Sequence, residues 1–300
     1  MTAANMLDDL EAIGRQLDRG ICPKVYNGGI VKPSDSAPSP SPWAKEKDHE
    51  RSGQGRPETR TWPGTTGWKR SSDGSRPPRT TPQVICSELE EDYLAGLGEV
   101  QTAYPGTRIW HQGDGFWLRV ESALLPGLNQ KAVFLIGIPF ARTLNVRAWG
   151  FRDGIPLRSP IWIGPRHTNF GDGSICAFEL VDGTWRAGGS LVTLIDIYSV
   201  WALKHLHLEI LGRWPGHQKA HYVFERLIEQ KPGELCGCGS DKHYDECCQQ
   251  EDRAKDIAAE VTRYNLLTGG GKRSPPAKIT AFLLSQDVVP SISDLLPSSM

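Results

Sequence analysis

The chain is poor in long apolar runs and in features that target a protein to a membrane. No stretch reaches the roughly 18 consecutive apolar residues that indicate a transmembrane helix. Residues 1–10 lack the basic region and following apolar core of a secretory signal. These absences predict a cytoplasmic protein without a membrane span, in a compartment that keeps thiols reduced. The 7 cysteines are therefore interpreted as metal ligands, nucleophiles or core residues.

An excess of one charge is absent as well. The 34 Lys and Arg residues balance 35 Asp and Glu residues, which gives a net charge of −1. Proteins that bind nucleic acid generally present an excess of Lys and Arg to the phosphates, so we do not expect a nucleic-acid partner. Hydrophobic residues make up only 38% of the chain, which indicates that part of it does not fold.

Shifts in composition divide the chain into five segments. They are a short N-terminal helical segment, a Pro/Ser/Arg-rich linker, a folded domain, a cysteine cluster, and a C-terminal helix with a tail: 1–32, 33–83, 84–231, 232–250 and 251–300. The linker at 33–83 has almost no aliphatic residues, so it cannot bury enough apolar surface to offset its chain entropy. We predict that it is disordered.

Three tryptophans inside this linker, Trp43, Trp62 and Trp68, do not fit a simple spacer. Two interpretations remain open. The linker tolerates them, or they form a docking segment together with neighbouring basic residues. Seven of the ten tryptophans lie instead between Trp110 and Trp214, where we place the hydrophobic core.

The folded domain has the pattern of an α+β protein. Ser87 and Glu90 form a capping box that predicts a helix through about Thr102. Strand-like runs separated by Pro, Gly or polar residues then predict a meander of three or four antiparallel strands, at 116–121, 132–139, 146–151 and 160–163. Apolar residues at helical spacing predict later helices at 191–211, 221–229 and 251–267. The residues after 267 carry only a weak pattern.

A cysteine follows the last strand-like run on a short polar loop. His167 and Asn169 come first, then Gly173 and Cys176, and Trp185 follows. A nucleophilic cysteine needs an exposed sulfur, and amide groups near it can stabilise an oxyanion. The alternative is that Cys176 is a small buried residue and that His167 and Asn169 only close a turn.

This order of residues resembles the active-site segment of ubiquitin-conjugating enzymes. In that family a His-Pro-Asn tripeptide precedes the cysteine and a tryptophan follows, and here Thr168 stands in place of the proline. The resemblance implies a ubiquitin-conjugating-enzyme-like antiparallel meander flanked by helices. It also implies that Cys176 carries an acyl group as a thioester, that Asn169 stabilises the oxyanion, and that His167 braces the loop.

Four further cysteines cluster near the C-terminus, in the pattern Cys-x-Cys, eight residues, Cys-Cys: Cys236, Cys238, Cys247 and Cys248. Zinc prefers four thiolate or imidazole ligands in a tetrahedron, and short-range pairs on two sides of a turn supply them. His243 is the local substitute for a fourth ligand. The alternative is that the thiols are unliganded or form disulfides. The segment resembles the SEC-C zinc knuckle, which implies one zinc ion with a role in stability and docking.

His205 and His207 form a His-x-His pair, which is found in the zinc site of some metalloproteases. Both lie in the predicted helix at 191–211. Residues two apart on a helix point to different faces, so they cannot share one metal ion. We interpret both histidines as structural.

The two resemblances together imply a bacterial transferase. Bacterial members of the conjugating-enzyme superfamily occur in cyclic-oligonucleotide-based antiphage signalling (CBASS) operons. The implied partner is a protein substrate, either a cGAS-like nucleotidyltransferase or a ubiquitin-like protein. Because no Gly-rich nucleotide site is present, any adenylation step takes place in a separate activating enzyme or is bypassed. One alternative is a non-catalytic, zinc-containing adaptor that binds proteins. A zinc-dependent nucleic-acid binder fits least, because 234–251 is acidic with Lys242 as its one basic residue.

Overall fold

The computed structural model describes most of the chain outside the predicted linker. The described ranges are 3–26, 29–31, 88–125, 131–141, 145–153, 160–178, 183–220, 222–268, 273–285 and 288–293. All of them belong to one compact unit. Ser87, the linker at 33–83 and its tryptophans Trp43, Trp62 and Trp68 lie outside the described residues.

A five-stranded antiparallel sheet forms the centre of this unit. Its strands are neighbours in chain order: β3 (Arg108–Gln112), β4 (Gly115–Glu121), β5 (Val133–Pro139), β6 (Arg147–Asp153) and β7 (Pro160–Trp162). The predicted antiparallel meander is thus confirmed, with one strand more than expected. The additional strand, β3, has no clear alternation of apolar residues, because only Ile109 and Trp110 are apolar in it. Two short N-terminal strands, β1 (Lys24–Tyr26) and β2 (Gly29–Val31), pair separately.

Both faces of the sheet are buried, and the alternation along β4 shows how. Phe116 and Leu118 belong to one hydrophobic cluster, whereas Trp117 belongs to a second cluster on the opposite face. Successive side chains of a strand point to opposite faces, so apolar residues at every position require cover on both sides. Gly137 lies opposite Trp117 in β5, and an added Cβ there would come within 3.0 Å of the indole ring.

Three helices cover the first face: α1 (Ala3–Asp18), α2 (Glu88–Ala103) and α3 (Leu191–Leu211). The hydroxyl of Ser190 caps α3 by accepting from the Thr193 amide, and Gly212 ends it in the left-handed conformation, with φ 73°. α1 packs closely on α3, because a Cβ at Gly14 would lie 2.3 Å from His207 Nε2. No helix in the described ranges combines the length and the apolar character needed to cross a bilayer.

The second face is covered by a C-terminal helix, α7 (Ala277–Ser285). Phe282 packs edge-on against Trp117 with ring centroids 5.6 Å apart, and against Trp110 at 5.0 Å. The indole nitrogen of Trp117 donates to the carbonyl of Pro290 at 2.8 Å. The core therefore extends beyond the segment between Trp110 and Trp214, and the weakly patterned tail supplies part of it.

Three short helices lie between α3 and α7: α4 (Val223–Glu229), α5 (Gln249–Ala254) and α6 (Ile257–Thr268). The prediction of one helix at 251–267 is wrong in this respect. Lys255 is extended, with φ −69° and ψ 155°. The carboxylate of Asp256 accepts from the amides of Ala258 and Ala259 at 3.0 and 3.3 Å. Asp256 thus caps a new helix, as aspartate does at helix N-termini.

Candidate functional site

The loop that carries Cys176 is closed by backbone hydrogen bonds. Thr168 and Ile175 form an isolated antiparallel bridge. The Cys176 amide donates to the His167 carbonyl at 3.0 Å, and the Asn169 amide donates to the Ser174 carbonyl at 2.7 Å. Cys176 itself is partly buried. The structure thus brings the three predicted residues His167, Asn169 and Cys176 onto one short, ordered turn.

The side-chain amide of Asn169 is engaged within this loop. Its nitrogen donates to Ser174 Oγ at 3.0 Å and to the Ile175 carbonyl at 3.2 Å. Both acceptors belong to the residues that immediately precede Cys176. In this conformation the amide braces the loop, and it must leave at least one of these acceptors to donate to a group bound at Cys176.

Hydrogen bonds from two residues of β6, Arg147 and Trp149, connect the loop to the sheet. Ser174 is fully buried, and its hydroxyl donates to Asp172 Oδ1 at 2.8 Å. Arg147 of β6 donates to Ser174 Oγ at 3.1 Å and forms an ion pair with Asp172 at 3.4 Å. The Trp149 indole donates to the Asp172 carbonyl at 2.7 Å. Sequence reasoning missed these residues, because Arg147 and Asp172 are 25 positions apart and match no motif.

His167 is partly buried and neutral, and its side chain braces the loop. Burial, followed by the positive charges of Arg166 and Lys204, holds the pKa of its imidazole well below the usual value. Its Nε2 lies 3.2 Å from Gln218 Oε1, and because that oxygen can only accept, Nε2 carries the proton. The ring packs on Trp214 with centroids 4.1 Å apart. His167 also has a positive φ of 49°, an uncommon conformation for a residue other than glycine.

The residue before His167 forms a buried ion pair. Arg166 Nη1 donates to Glu234 Oε1 at 2.9 Å, and Nη2 donates to the other carboxylate oxygen. Nη2 also donates to Gln218 Oε1 at 2.7 Å. The side chains of Arg166 and Glu234 are only 7% and 0% exposed. Glu234 accepts further hydrogen bonds from the amides of Trp214 and Lys231, at 2.7 and 3.2 Å.

A second arginine, Arg273, reaches the loop from the C-terminal segment. Its guanidinium lies 4.0 Å from the ring centroid of Phe170. It forms ion pairs with Glu225 and Glu229 of α4, each at 2.5 Å, and donates to the Pro165 carbonyl at 3.4 Å. The tail therefore contributes to the surroundings of the cysteine loop, which the sequence analysis did not predict.

Gly173 makes the close approach of this tail possible. It lies three residues before Cys176 and has a φ of 62°, in the region that favours glycine. A Cβ at this position would lie 2.7 Å from the backbone of Ser274. Glycine is required here both by backbone conformation and by packing.

The two histidines of α3 lie beside backbone carbonyls. His205 Nε2 lies 2.8 Å from the Arg166 carbonyl, and His207 Nδ1 lies 2.9 Å from the Arg213 carbonyl. Burial lowers the pKa of His205 to about 3. Within the described residues neither histidine belongs to a metal-competent group, in keeping with the structural interpretation.

The four C-terminal cysteines form a site that can hold a metal ion such as zinc. Their sulfur atoms all lie within 4.8 Å of one another. Cys238 and Cys247 are 3.6 Å apart, and Cys247 and Cys248 are 3.8 Å apart. A tetrahedral zinc ion with Zn–S bonds of about 2.3 Å sets its ligands about 3.8 Å apart. The donor set and its spacing therefore fit the metal.

The pKa values of these thiols do not all shift in the same direction, because burial raises the pKa of Cys236 and of Cys248. Burial raises the pKa of the Cys238 thiol, but hydrogen bonds with Ser240, Cys236 and Cys247 outweigh this effect and lower the pKa to about 6. The lowered pKa favours the thiolate of Cys238, which is the form that binds metal. His243, the substitute ligand considered from the sequence, is exposed and lies outside the cluster.

Backbone hydrogen bonds close the knuckle, which we define as residues 234–248, and side chains join it to the rest of the fold. Within the knuckle, Leu235 and His243 form a bridge, and the Tyr244 amide donates to the Glu234 carbonyl at 2.8 Å. Next to the knuckle, Arg226 of α4 binds both carboxylate oxygens of Asp252, each at 2.7 Å. Asp252 also accepts from the Tyr244 hydroxyl at 3.1 Å.

Comparison with known proteins adds no relative to this description. No protein-family model, no curated protein and no solved structure matches the chain. Hypotheses about its function therefore depend on the cysteine loop, the four-cysteine site and the order of the elements.

Proposed function

We propose that the protein is an acyl transferase of the ubiquitin-conjugating type, which carries its acyl group on Cys176 as a thioester. The observation that supports this most is the position of Cys176. It is partly buried at the end of a hydrogen-bonded turn, after an antiparallel meander and before the long helix α3. Helix, meander, cysteine loop and helix follow one another in the order that the resemblance implies.

The proposed reaction has two steps. The Cys176 thiolate attacks the C-terminal carbonyl carbon of a donor protein that a separate activating enzyme holds as a thioester. The bond between that carbon and the activating enzyme's sulfur breaks, and the activating enzyme's thiolate leaves as the new thioester forms. A lysine amine of the acceptor then attacks the same carbon, the C–S bond breaks, and an amide forms while the amine loses its proton to solvent. Because thioesters are reactive toward amines, the enzyme supplies positioning and oxyanion stabilisation. We assign the latter to Asn169.

We propose zinc as the ion of the four-cysteine site. Zinc bound by four thiolates leaves no open coordination position, which is typical of structural rather than catalytic sites. The chemistry that it supplies is therefore a cross-link between the two halves of the knuckle. The resemblances further suggest a cytoplasmic role in bacterial antiphage defence, with a cGAS-like nucleotidyltransferase or a ubiquitin-like protein as substrate.

One observation favours a second function, a non-catalytic adaptor that binds proteins. The polar groups that would assist a reaction at Cys176 are engaged in structural hydrogen bonds, Asn169 with its own loop and His167 with Gln218. An adaptor would need this ordered loop only for its shape. The two functions differ in whether Cys176 forms a covalent adduct.

Intact-mass analysis separates them. The protein is purified together with the products of its neighbouring genes, and adducts are measured before and after thiol treatment. We expect a thiol-labile adduct in the wild type, none in Cys176→Ala, and a thiol-resistant ester in Cys176→Ser. Cys22→Ala is the matched control, because Cys22 is an exposed cysteine outside the loop. An adduct that persists in Cys176→Ala would exclude Cys176 as the nucleophile.

A further inference from the structure

The Arg166–Glu234 ion pair joins the two cysteine sites of the molecule. Glu234 stands two residues before Cys236, the first ligand of the knuckle, and its backbone carbonyl accepts from the Tyr244 amide inside the knuckle at 2.8 Å. Its side chain points the other way and binds Arg166, 68 positions away in the chain. Arg166 directly precedes His167. One residue thus belongs to the knuckle through its backbone and to the cysteine loop through its carboxylate.

Gln218 makes the same connection through a second route. Its amide nitrogen donates to the Leu235 carbonyl in the knuckle at 3.0 Å. Its amide oxygen accepts from Arg166 Nη2 at 2.7 Å and lies 3.2 Å from His167 Nε2. The side chain is buried, so water cannot readily replace these hydrogen bonds. A displacement of Leu235 therefore changes the surroundings of His167 directly.

The connection continues from His167 to the nucleophile. The His167 carbonyl accepts two hydrogen bonds, from the Cys176 amide at 3.0 Å and from the Trp201 indole at 2.9 Å. The backbone of residues 166–168 therefore lies between the buried ion pair and Cys176. Any motion that frees Arg166 from Glu234 acts on the residue that holds the Cys176 amide.

We propose that Arg166, Gln218 and Glu234 are positioning residues that couple metal occupancy of the knuckle to the reactivity of Cys176. Without metal, the knuckle loses the interaction that holds its four sulfur atoms together, and local opening becomes easier. A buried arginine that loses its carboxylate partner is strongly unfavourable, so the loop must rearrange when Glu234 moves. The inference rests on the metal site of the proposed function and is independent of thioester transfer.

The test uses the full chain loaded with cadmium, whose thiolate absorption reports occupancy of the knuckle. The rate constant for alkylation of Cys176 by iodoacetamide is measured by peptide mass analysis, before and after chelation. We expect chelation to raise this rate constant about tenfold, within the usual range of coupling between two sites. In Glu234→Gln, the metal-loaded protein should already react at close to the rate of the chelated wild type.

The matched control is Asp252→Asn, which weakens the ion pair between Asp252 and Arg226 beside the knuckle. Asp252 binds Arg226 and Tyr244, and none of its hydrogen bonds among the described residues reaches the 166–176 loop. In this variant chelation should raise the rate constant for Cys176 alkylation as much as in the wild type. Gln218→Ala provides a milder test if Glu234→Gln does not fold, and in it chelation should raise this rate constant by less.

Two results would overturn the inference. One is a wild-type Cys176 rate that stays constant while chelation removes the cadmium absorption. The other is a loss of the response in Asp252→Asn as large as in Glu234→Gln, which would mean that any loosening of the knuckle acts alike. If no thioester forms on Cys176 but chelation still changes its alkylation rate, only the transferase proposal is refuted.

Discussion

The side chain of Asn169 stabilises the loop that carries Cys176. The Asn169 amide donates to Ser174 and Ile175, the two residues before Cys176, and Ser174 is in turn bound to Asp172 and Arg147. The transferase proposal adds a second role for Asn169, because a small shift in the loop would free its donor for an oxyanion. The structural role and the proposed role predict separate effects on stability and on rate.

Replacement of Asn169 by alanine should therefore affect both stability and rate. We expect the free energy of unfolding to fall by about 1–3 kcal/mol, because Ser174 and Ile175 lose a buried donor. Under the transferase proposal, amine attack on the thioester should slow by about 10²-fold, with a smaller effect on thioester loading. Denaturant unfolding and single-turnover assays measure the two effects. Asn145→Ala, at an exposed position, is the control, and equal losses in both reaction steps would favour a purely structural role.

The burial of His205 predicts a pH-dependent stability. Its pKa is lowered to about 3 in the folded state, whereas an unfolded histidine titrates near 6.5. The unfolded state therefore binds more protons between these values, so this contribution is complete above about pH 6.5 and is lost as the pH falls toward 3. The slope approaches about 1.4 kcal/mol per pH unit within this window.

His205→Gln isolates this contribution, because glutamine can still donate to the Arg166 carbonyl but does not titrate. Denaturant unfolding of the metal-loaded protein between pH 7 and pH 5 should show a shallower dependence in the variant than in the wild type. Metal release at low pH affects both proteins alike. Identical slopes would show that His205 is accessible to protons in the folded state.

At the level of elements, α7 completes the fold by covering the second face of the sheet. Phe282 is 1% exposed and contacts Trp110 and Trp117, whereas Leu284 on the same helix is 61% exposed. We expect Phe282→Ala to lower the free energy of unfolding by about 3–5 kcal/mol, the range for buried aromatic residues. Leu284→Ala should change it by less than about 0.5 kcal/mol. Chemical denaturation followed by tryptophan fluorescence tests the pair, and similar effects of both variants would contradict the assigned packing.

The elements that sequence reasoning found are those with strong local signals. β4 and β5 are dense in apolar residues, and α3 has apolar residues at regular helical spacing between Ser190 and Gly212. α7 escaped prediction because it is short and only Ile279, Phe282 and Leu283 are buried in it. A helix of this length owes its stability to tertiary packing, which local sequence does not reveal.

In the candidate sites, too, residues that lie close together in the sequence could be predicted, whereas their distant partners could not. The four cysteines of the knuckle and the residues His167, Asn169 and Cys176 were found because short spacings brought them together in the sequence. Their supports were not found. Arg166 meets Glu234 over 68 positions, and Arg147 meets Ser174 over 27. Such contacts are set by the packing of the sheet against α3 and the knuckle, and no local pattern encodes them.

At the scale of the whole molecule, the knuckle is part of the same folded unit as the cysteine loop. Arg166 and Gln218 bind it on one side, and on the other Tyr244 of the knuckle donates to Asp252, which Arg226 holds. A metal ion bound at the four cysteines would therefore stabilise more than its own loop. Because an unfolded chain binds metal less well than an assembled four-sulfur site, such binding would add to the stability of everything that unfolds with the knuckle.

Protein purified without chelators should carry about one zinc ion per chain, since four thiolates complete a tetrahedral site. Chelation should lower the melting temperature by about 10 °C or more, because several kcal/mol of binding free energy are lost with the ion. Elemental analysis and calorimetry measure these quantities. Loss of both Cys236 and Cys238 to serine should abolish zinc binding, whereas Cys22→Ser, outside the cluster, should retain it. Wild-type protein without metal, or full zinc content in the double variant, would exclude the four-cysteine site as the zinc centre.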